Sequence, residues 1–256
     1  SKYDFDAQFT PHPFDQQLKQ DPHPYYRIFD LTQYPYNEAM QAYHNKCVGG
    51  YHPAKLETYQ DLIDQHLSGG KMNEQVLSML NTKYILFNGP DKKPAIQPNR
   101  QACGNAWFVP NIQLVENANE EMLALKAKNI SDTANVPNAF VAKQTAVIQK
   151  KYWKQNITSF QVDSTSNIKL TKYGLNNLQF SSDNGQDGFA VFADVYYPAG
   201  WKATIDGKEA EIIKTNYLLR GLFIPAGKHQ IEFTFKPDTY YKWNKVSLIS
   251  SILILL

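Results

Sequence analysis

Two kinds of hydrophobic spacing divide the chain. Between Pro53 and Leu67 the apolar residues Leu56, Tyr59, Leu62, Ile63 and Leu67 recur every three to four positions, which places them on one face of a helix. Pro53 suits the first turn, and Ser68-Gly69-Gly70 supplies the stop. Asn73 is placed to cap a second short helix through Leu80, and a further capped helix is predicted over Asn119 to Ala127. The strands predicted in this half are short apolar runs: Tyr26 to Leu31, Lys83 to Phe87 with an Asn88-Gly89-Pro90 turn, Trp107 to Val109 and Ile112 to Val115. After about Asn156 helical spacing stops. Phe189 to Tyr196 and Ile231 to Lys236 alternate apolar and polar, as half-buried strands do. Asp206-Gly207, between Ala203-Thr204-Ile205 and Ala210-Glu211-Ile212-Ile213, predicts a type I′ hairpin, and Pro225-Ala226-Gly227 reads as the turn of the next pair.

Six or seven strands in about 80 residues predict an antiparallel β-sandwich. The expected class is α+β: a mixed α/β subdomain over 1–155, a β-sandwich over 156–238, and a last segment over 239–256. That last segment has its own character. Val246 to Leu256 carries no charge and ends on five apolar side chains. Ahead of it stand Tyr240, Tyr241, Lys242, Trp243 and Lys245, the aromatic and basic collar found where a helix enters lipid. The pattern predicts the start of a transmembrane helix, with the rest of the chain as the water-soluble end of a larger membrane protein. A C-terminal core helix is the other reading, because a span needs about 20 apolar residues.

Composition narrows the function. Lys and Arg number 26 against 24 Asp and Glu, and Arg27, Arg100 and Arg220 are the three arginines, so the basic stripe of a nucleic-acid binder is missing. The opening Ser1-Lys2-Tyr3 lacks a signal peptide, so targeting is expected to come from elsewhere. Cys47 and Cys103 lack metal-site spacing; they read as small buried hydrophobes or as one disulfide closing a loop of about 55 residues. No catalytic motif and no metal or cofactor signature is expected. Gly221 to Lys228 resembles a phosphate loop but has the wrong glycine spacing and lies on a hairpin, and the six histidines do not form a metal-binding pair.

Two groups of residues suit a ligand. Gly49-Gly50 allows a tight turn that delivers Tyr51 and His52 to a helix N-terminus, with Lys55 in its first turn, an arrangement suited to a phosphate or sugar-phosphate. The alternative is that Gly50 only turns the chain and His52 only caps the helix. Trp107 and Trp201 offer aromatic faces to sugar rings or fill the core, and Arg220, beside Asn216 and Tyr217, reads as a ligand contact or a structural ion pair.

A family resemblance runs through these residues. Phe9-Thr10-Pro11, Tyr26-Arg27-Ile28, Gly49-Gly50-Tyr51-His52, Leu80-Asn81-Thr82-Lys83-Tyr84-Ile85 and Gly104-Asn105-Ala106-Trp107-Phe108-Val109 occur in order. Gly200-Trp201-Lys202-Ala203, Asn216-Tyr217-Leu218-Leu219-Arg220 and Pro225-Ala226-Gly227-Lys228-His229 follow. Together they resemble the C-terminal extracytoplasmic region of YfhO-type bacterial membrane proteins, in a form like that of Bacteroidetes, with Cys47 and Cys103 as departures. The resemblance implies a polytopic parent similar to GT-C glycosyltransferases, which use polyprenyl-phosphate sugars outside the cytoplasm. The catalytic acid of that class lies in an early loop between membrane helices, so no catalytic residue carries over. The resemblance implies a domain on the outer membrane face, periplasmic or exterior, that shapes the donor or acceptor entrance. A glycan-binding module and a purely structural cap are the alternatives.

Overall fold

Asn73 caps as its position predicts: its side-chain oxygen accepts from the Gln75 and Val76 N–H groups, each at 3.1 Å. The helix that follows is one of six helices and fourteen strands in a computed structural model that describes residues 9–11, 13–23, 25–37, 39–70, 72–126 and 139–255. The expectations that involve Ser1 to Tyr3, Ala127 and Leu256 fall outside the described residues. In order, the helices are α1 (Pro13–Leu18), α2 (Met40–His44), α3 (Glu57–His66), α4 (Glu74–Met79) and α5 (Ala118–Ala124), with α6 (Asp238–Leu255) after the last strand. A three-stranded sheet holds β1 (Arg27–Asp30) parallel to β2 (Thr82–Asn88), with β3 (Pro94–Pro98) antiparallel to β2. β5 (Asn111–Val115) and β6 (Thr145–Gln149) form a parallel pair.

Two helix starts differ from the sequence reading. Residues 53 and 54 form a separate turn, and α3 begins at Glu57 after an extended Leu56. The cause is local: the His52 ring nitrogen Nδ1 accepts from Ala54 N–H at 3.1 Å, a side-chain bond that competes with helix. α5 is capped by Asn117, not Asn119, with Glu120 reaching back to Glu116 N–H as in a capping box.

The sandwich accounts for the second half. Its five-stranded sheet runs β11 (Lys208–Ala210), β10 (Trp201–Ile205), β14 (Gly227–Phe235), β8 (Asn177–Asn184) and β7 (Asn167–Tyr173), all antiparallel. Its four-stranded sheet runs β12 (Ile213–Thr215), β13 (Leu219–Ile224), β9 (Gly188–Val195) and β4 (Ala106–Val109), so a strand from before residue 155 forms one edge. The Asp206-Gly207 turn forms as predicted, with both φ angles positive at 51° and 78°. Pro225-Ala226 does not join a hairpin pair: it carries the chain from β13 in one sheet to β14 in the other.

The alternation along β9 predicts a half-exposed strand, yet Gly188 to Ala193 are all buried. The four-stranded sheet is a middle layer. Phe189, Val191 and Ala193 point into a core shared with Leu62, Leu77, Val109, Val147 and Leu219. Ala190 and Phe192 point the other way, into the sandwich interior with Phe108, Phe180, Leu222 and Phe233. There Phe192 meets Phe180 at 4.9 Å and Phe233 at 4.8 Å between ring centroids, both edge-to-face, the favoured packing of such rings.

The turn before β13 ties the two halves together. Asn216 and Tyr217 both have positive φ, 50° and 65°, which leaves their polar groups to be satisfied by the other half. Val147 N–H donates to the Asn216 side chain, Tyr217 N–H donates to the buried Glu121 carboxylate, and Tyr217 Oη donates to Asp61 at 2.7 Å. Burial pushes the Glu121 carboxyl above the usual range, against the opposing hydrogen bonds from Gln149 and Tyr217.

At the far end of the chain α6 leaves the body. Its described side chains from Asp238 to Ile254 are all exposed, including Trp243 at 66%, Leu248 at 63%, Leu253 at 68% and Ile254 at 84%. No helix among the described residues is long and apolar enough to cross a membrane.

Candidate functional site

The residues expected to hold a ligand fall in three places. Gly49 packs so closely on the Pro35 carbonyl that a Cβ would collide with it, and Gly50, at φ 103°, donates to that carbonyl at 2.7 Å. The double glycine is therefore required by a close backbone approach. It leads to Tyr51, 66% exposed, and an exposed His52. Lys55 donates to Gln60 at 2.9 Å. Because helix α3 starts only at Glu57, its free N–H groups lie beyond His52 and not directly behind it.

Trp107 lies elsewhere. It is 7% exposed, sits in the core between the middle sheet and the helices, and donates its indole N–H to the Ala142 carbonyl at 2.8 Å. Its alternation with Phe108, which faces the opposite core, shows why an aromatic run in the central layer is packing.

Trp201 and Arg220 are brought together. They come from opposite sheets, β10 and β13, and line one cleft of about 190 Å³ with Tyr196, Tyr197, Lys202 and Glu209. The Arg220 guanidinium lies 4.2 Å from the Trp201 ring centroid and 5.3 Å from that of Phe233. Phe235 packs on the same indole at 5.3 Å. The indole thus supports the arginine, and Tyr197, 40% exposed, is the more accessible aromatic.

Arg220 is unusual in its surroundings. It is 3% exposed, its Nε donates to the Val195 carbonyl at 2.9 Å, and its Nη1 is buried with no partner. Among the described residues no carboxylate forms an ion pair with it. Burial pulls its pKa down to about 10, partly offset by Asp194 and Tyr173 nearby and reinforced by Arg27. A break in strand register between Leu219 and Arg220 sets this geometry, since Leu219 faces Val195 while Arg220 faces Phe192. Lys46 belongs to the same electrostatic neighbourhood. Its Nζ sits 3.3 Å from the Tyr173 ring centroid, and burial together with Arg27 lowers its pKa to about 8.

A second hollow, of about 310 Å³ on the five-stranded sheet, contains the pairs Lys228–Asp183 and His229–Asp206. Among the described residues no group of three His, Cys, Asp or Glu converges as a metal site would require. Both cysteines are free, Cys47 packing against the small cluster around Ile28 and Cys103 within the large core, so the disulfide reading does not hold. Burial pushes each thiol up to about 12.

Residues 144–247 match the family described as bacterial membrane protein YfhO. That stretch is similar to the YfhO family. It runs from the start of β6 into α6, and so contains Trp201, Arg220 and the whole five-stranded sheet. Gly50, Tyr51, His52, Lys55 and Trp107 lie outside the matched residues. No curated protein and no solved structure matches the chain. The match covers less than half of the chain and is to a membrane-protein family; sequence reasoning alone had no means of joining Trp201 to Arg220 across two sheets.

Proposed function

We propose that this chain is the extracytoplasmic domain of a GT-C-like membrane glycosyltransferase, facing the periplasm or cell exterior and attached to the bilayer through α6. It shapes the entrance for a polyprenyl-phosphate-linked sugar or its acceptor and does not itself carry the catalytic acid. The observation that carries the membrane part is α6: Val246, Leu248, Ile249, Ile252, Leu253 and Ile254 are exposed together, behind an exposed Trp243 and Lys242. Such a contiguous apolar surface is costly in water and matches an interfacial helix end. The three segments, 1–155, 156–238 and 239–256, then serve as a bracing body, a sandwich holding the cleft, and the membrane attachment.

The cleft at Trp201 and Arg220 supports ligand contact, because a buried guanidinium with no direct ion pair among the described residues and an unpartnered Nη1 is stabilised by an anion or a row of sugar hydroxyls. The Gly50, Tyr51, His52 and Lys55 segment is a second contact for a sugar-phosphate, and Trp107, buried in the core, serves packing. A glycan-binding role without involvement in transfer is the second reading, favoured by Tyr196 and Tyr197 beside the cleft. The test is sugar transfer from a polyprenyl-phosphate donor in membranes carrying the intact parent protein. Arg220→Met is expected to reduce transfer at unchanged protein level. Undiminished transfer would remove the cleft from the account, and absence of transfer by the native protein would remove the transferase reading.

A further inference from the structure

We infer that the end of the sandwich from which α6 departs is a lipid-contact face, where the β7–β8 turn dips Leu175 into the bilayer interface. The inference rests on the proposal that α6 enters a membrane, and it specifies which part of the body touches that membrane.

Leu175 is 94% exposed at the tip of a turn closed by Gly174 N–H donating to the Asn177 carbonyl at 2.8 Å. That turn is fixed to the root of α6: Phe235 N–H donates to the Asn176 carbonyl at 2.9 Å, and Lys236 N–H donates to the Gly200 carbonyl at 2.7 Å. Two loops, 174–176 and 198–200, therefore flank the last residues before the helix. The base beneath Leu175 is rigid, since Tyr173 stacks on Tyr25 at 4.6 Å with Lys46 over its ring. A single exposed leucine is ordinary. On the elements these bonds join, Tyr197 precedes the 198–200 loop and Tyr240 and Trp243 lie in the first turns of α6, exposed by 40%, 65% and 66%.

Charge on this face fits an anionic lipid surface. Lys172, Lys202, Lys236 and Lys242 are exposed on the strands, loops and helix that meet here, with the Lys46 ammonium seated over the Tyr173 ring. Of the acids on these elements, Asp238 is held by Lys202 at 3.0 Å and lies in the field of Lys236 and Lys242, Glu211 is held by Lys154, and Glu232 accepts from the Asn177 side chain at the foot of the β7–β8 turn. Asp194 is half-buried among Lys46, Arg27 and Arg220. The opposite end differs. Its turns at 185–187, 206–207 and 225–226 carry no exposed large apolar side chain, and it holds the ion pairs His229–Asp206 and Lys228–Asp183. Each lysine at a lipid surface and each partly inserted apolar side chain adds to one binding event, which gives the face a preferred orientation.

The test uses the whole chain with Cys47→Ser and Cys103→Ala, so that the one added thiol carries an environment-sensitive dye. Leu175→Cys reports the face, Gln186→Cys the opposite end, and Ile249→Cys the helix. With vesicles of phosphatidylcholine and phosphatidylglycerol, the dyes at 175 and 249 are expected to shift to the blue while that at 186 does not. Shallow lipid quenchers should reach position 175 more than deep ones. Leu175→Asp should weaken partition about fivefold, as loss of a half-buried leucine would, without moving Tm. Phosphatidylcholine alone should bind more weakly. If 249 shifts and 175 stays in water, the lipid-face inference fails and the membrane reading stands. If neither shifts, both fail. A shift at 175 that grows with protein concentration in the absence of vesicles would assign the face to a second copy and overturn the inference.

Discussion

Replacing Arg220 with Met separates a ligand-poised arginine from a structural keystone. In the folded chain, burial pulls the arginine pKa well below its ordinary value, to about 10, which corresponds to roughly 3 kcal/mol against the charged folded state. On the other side stand the Nε bond to Val195 and the guanidinium over Trp201. These contribute about 1–2 kcal/mol and about 1 kcal/mol respectively. Methionine keeps the packing against Trp201 and Phe233 and removes the buried charge and its orphan Nη1. The opposing terms nearly cancel, so Arg220→Met should change the unfolding free energy by less than about 1.5 kcal/mol in either direction. For a chain of this size that is a Tm change below about 5 °C, readable by calorimetry or by denaturant titration. An arginine held in place by strong structural pairing would lose about 3–5 kcal/mol on the same substitution. A Tm fall of about 10 °C or more would therefore refute the reasoning.

Two further outcomes follow from the geometry. Gly221 lies against the Phe189 ring, where an added Cβ would collide, so Gly221→Ala should cost about 1–3 kcal/mol in denaturant unfolding, and Phe189→Leu in the same chain should recover part of it; full stability of the single variant would contradict the packing. The hydrogen bond to Asp206 raises the His229 pKa above its ordinary 6.5, and the same bond lowers that of Asp206. The imidazolium therefore stabilises the hairpin fully below 6.5, and that contribution is lost as pH rises through the elevated folded value. An NMR titration should find His229 above 6.5 in the native chain and lower in Asp206→Asn; no difference between them would remove the pair from the account.

Local chemistry made much of the fold legible. Asn73 acts as a cap and Asp206-Gly207 as a tight turn because each rule concerns a few neighbouring atoms. β9 was misread because alternation reports burial on one face, whereas this strand feeds a different core from each face. Pro225-Ala226 was misread for a related reason: the same turn residues serve a hairpin or a crossing between sheets, and only the partner strands decide. At the site, the glycines at 49 and 50 were recognisable as a turn, but the carbonyl they approach belongs to Pro35, which no spacing rule links to them. Arg220 could be singled out as one of three arginines, while its contact with Trp201 depends on a register break beside Asp194 and on the facing sheet.

The central claim is that the exposed apolar face of α6 belongs in a bilayer, and vesicle flotation of the whole chain tests it most directly. The native chain should float with phosphatidylcholine–phosphatidylglycerol vesicles, and Ile249→Asp with Ile252→Asp, both at positions exposed in the helix, should leave it in the dense fraction with an unchanged Tm. Native protein that stays in the dense fraction, or a double variant that floats equally well, would contradict the account.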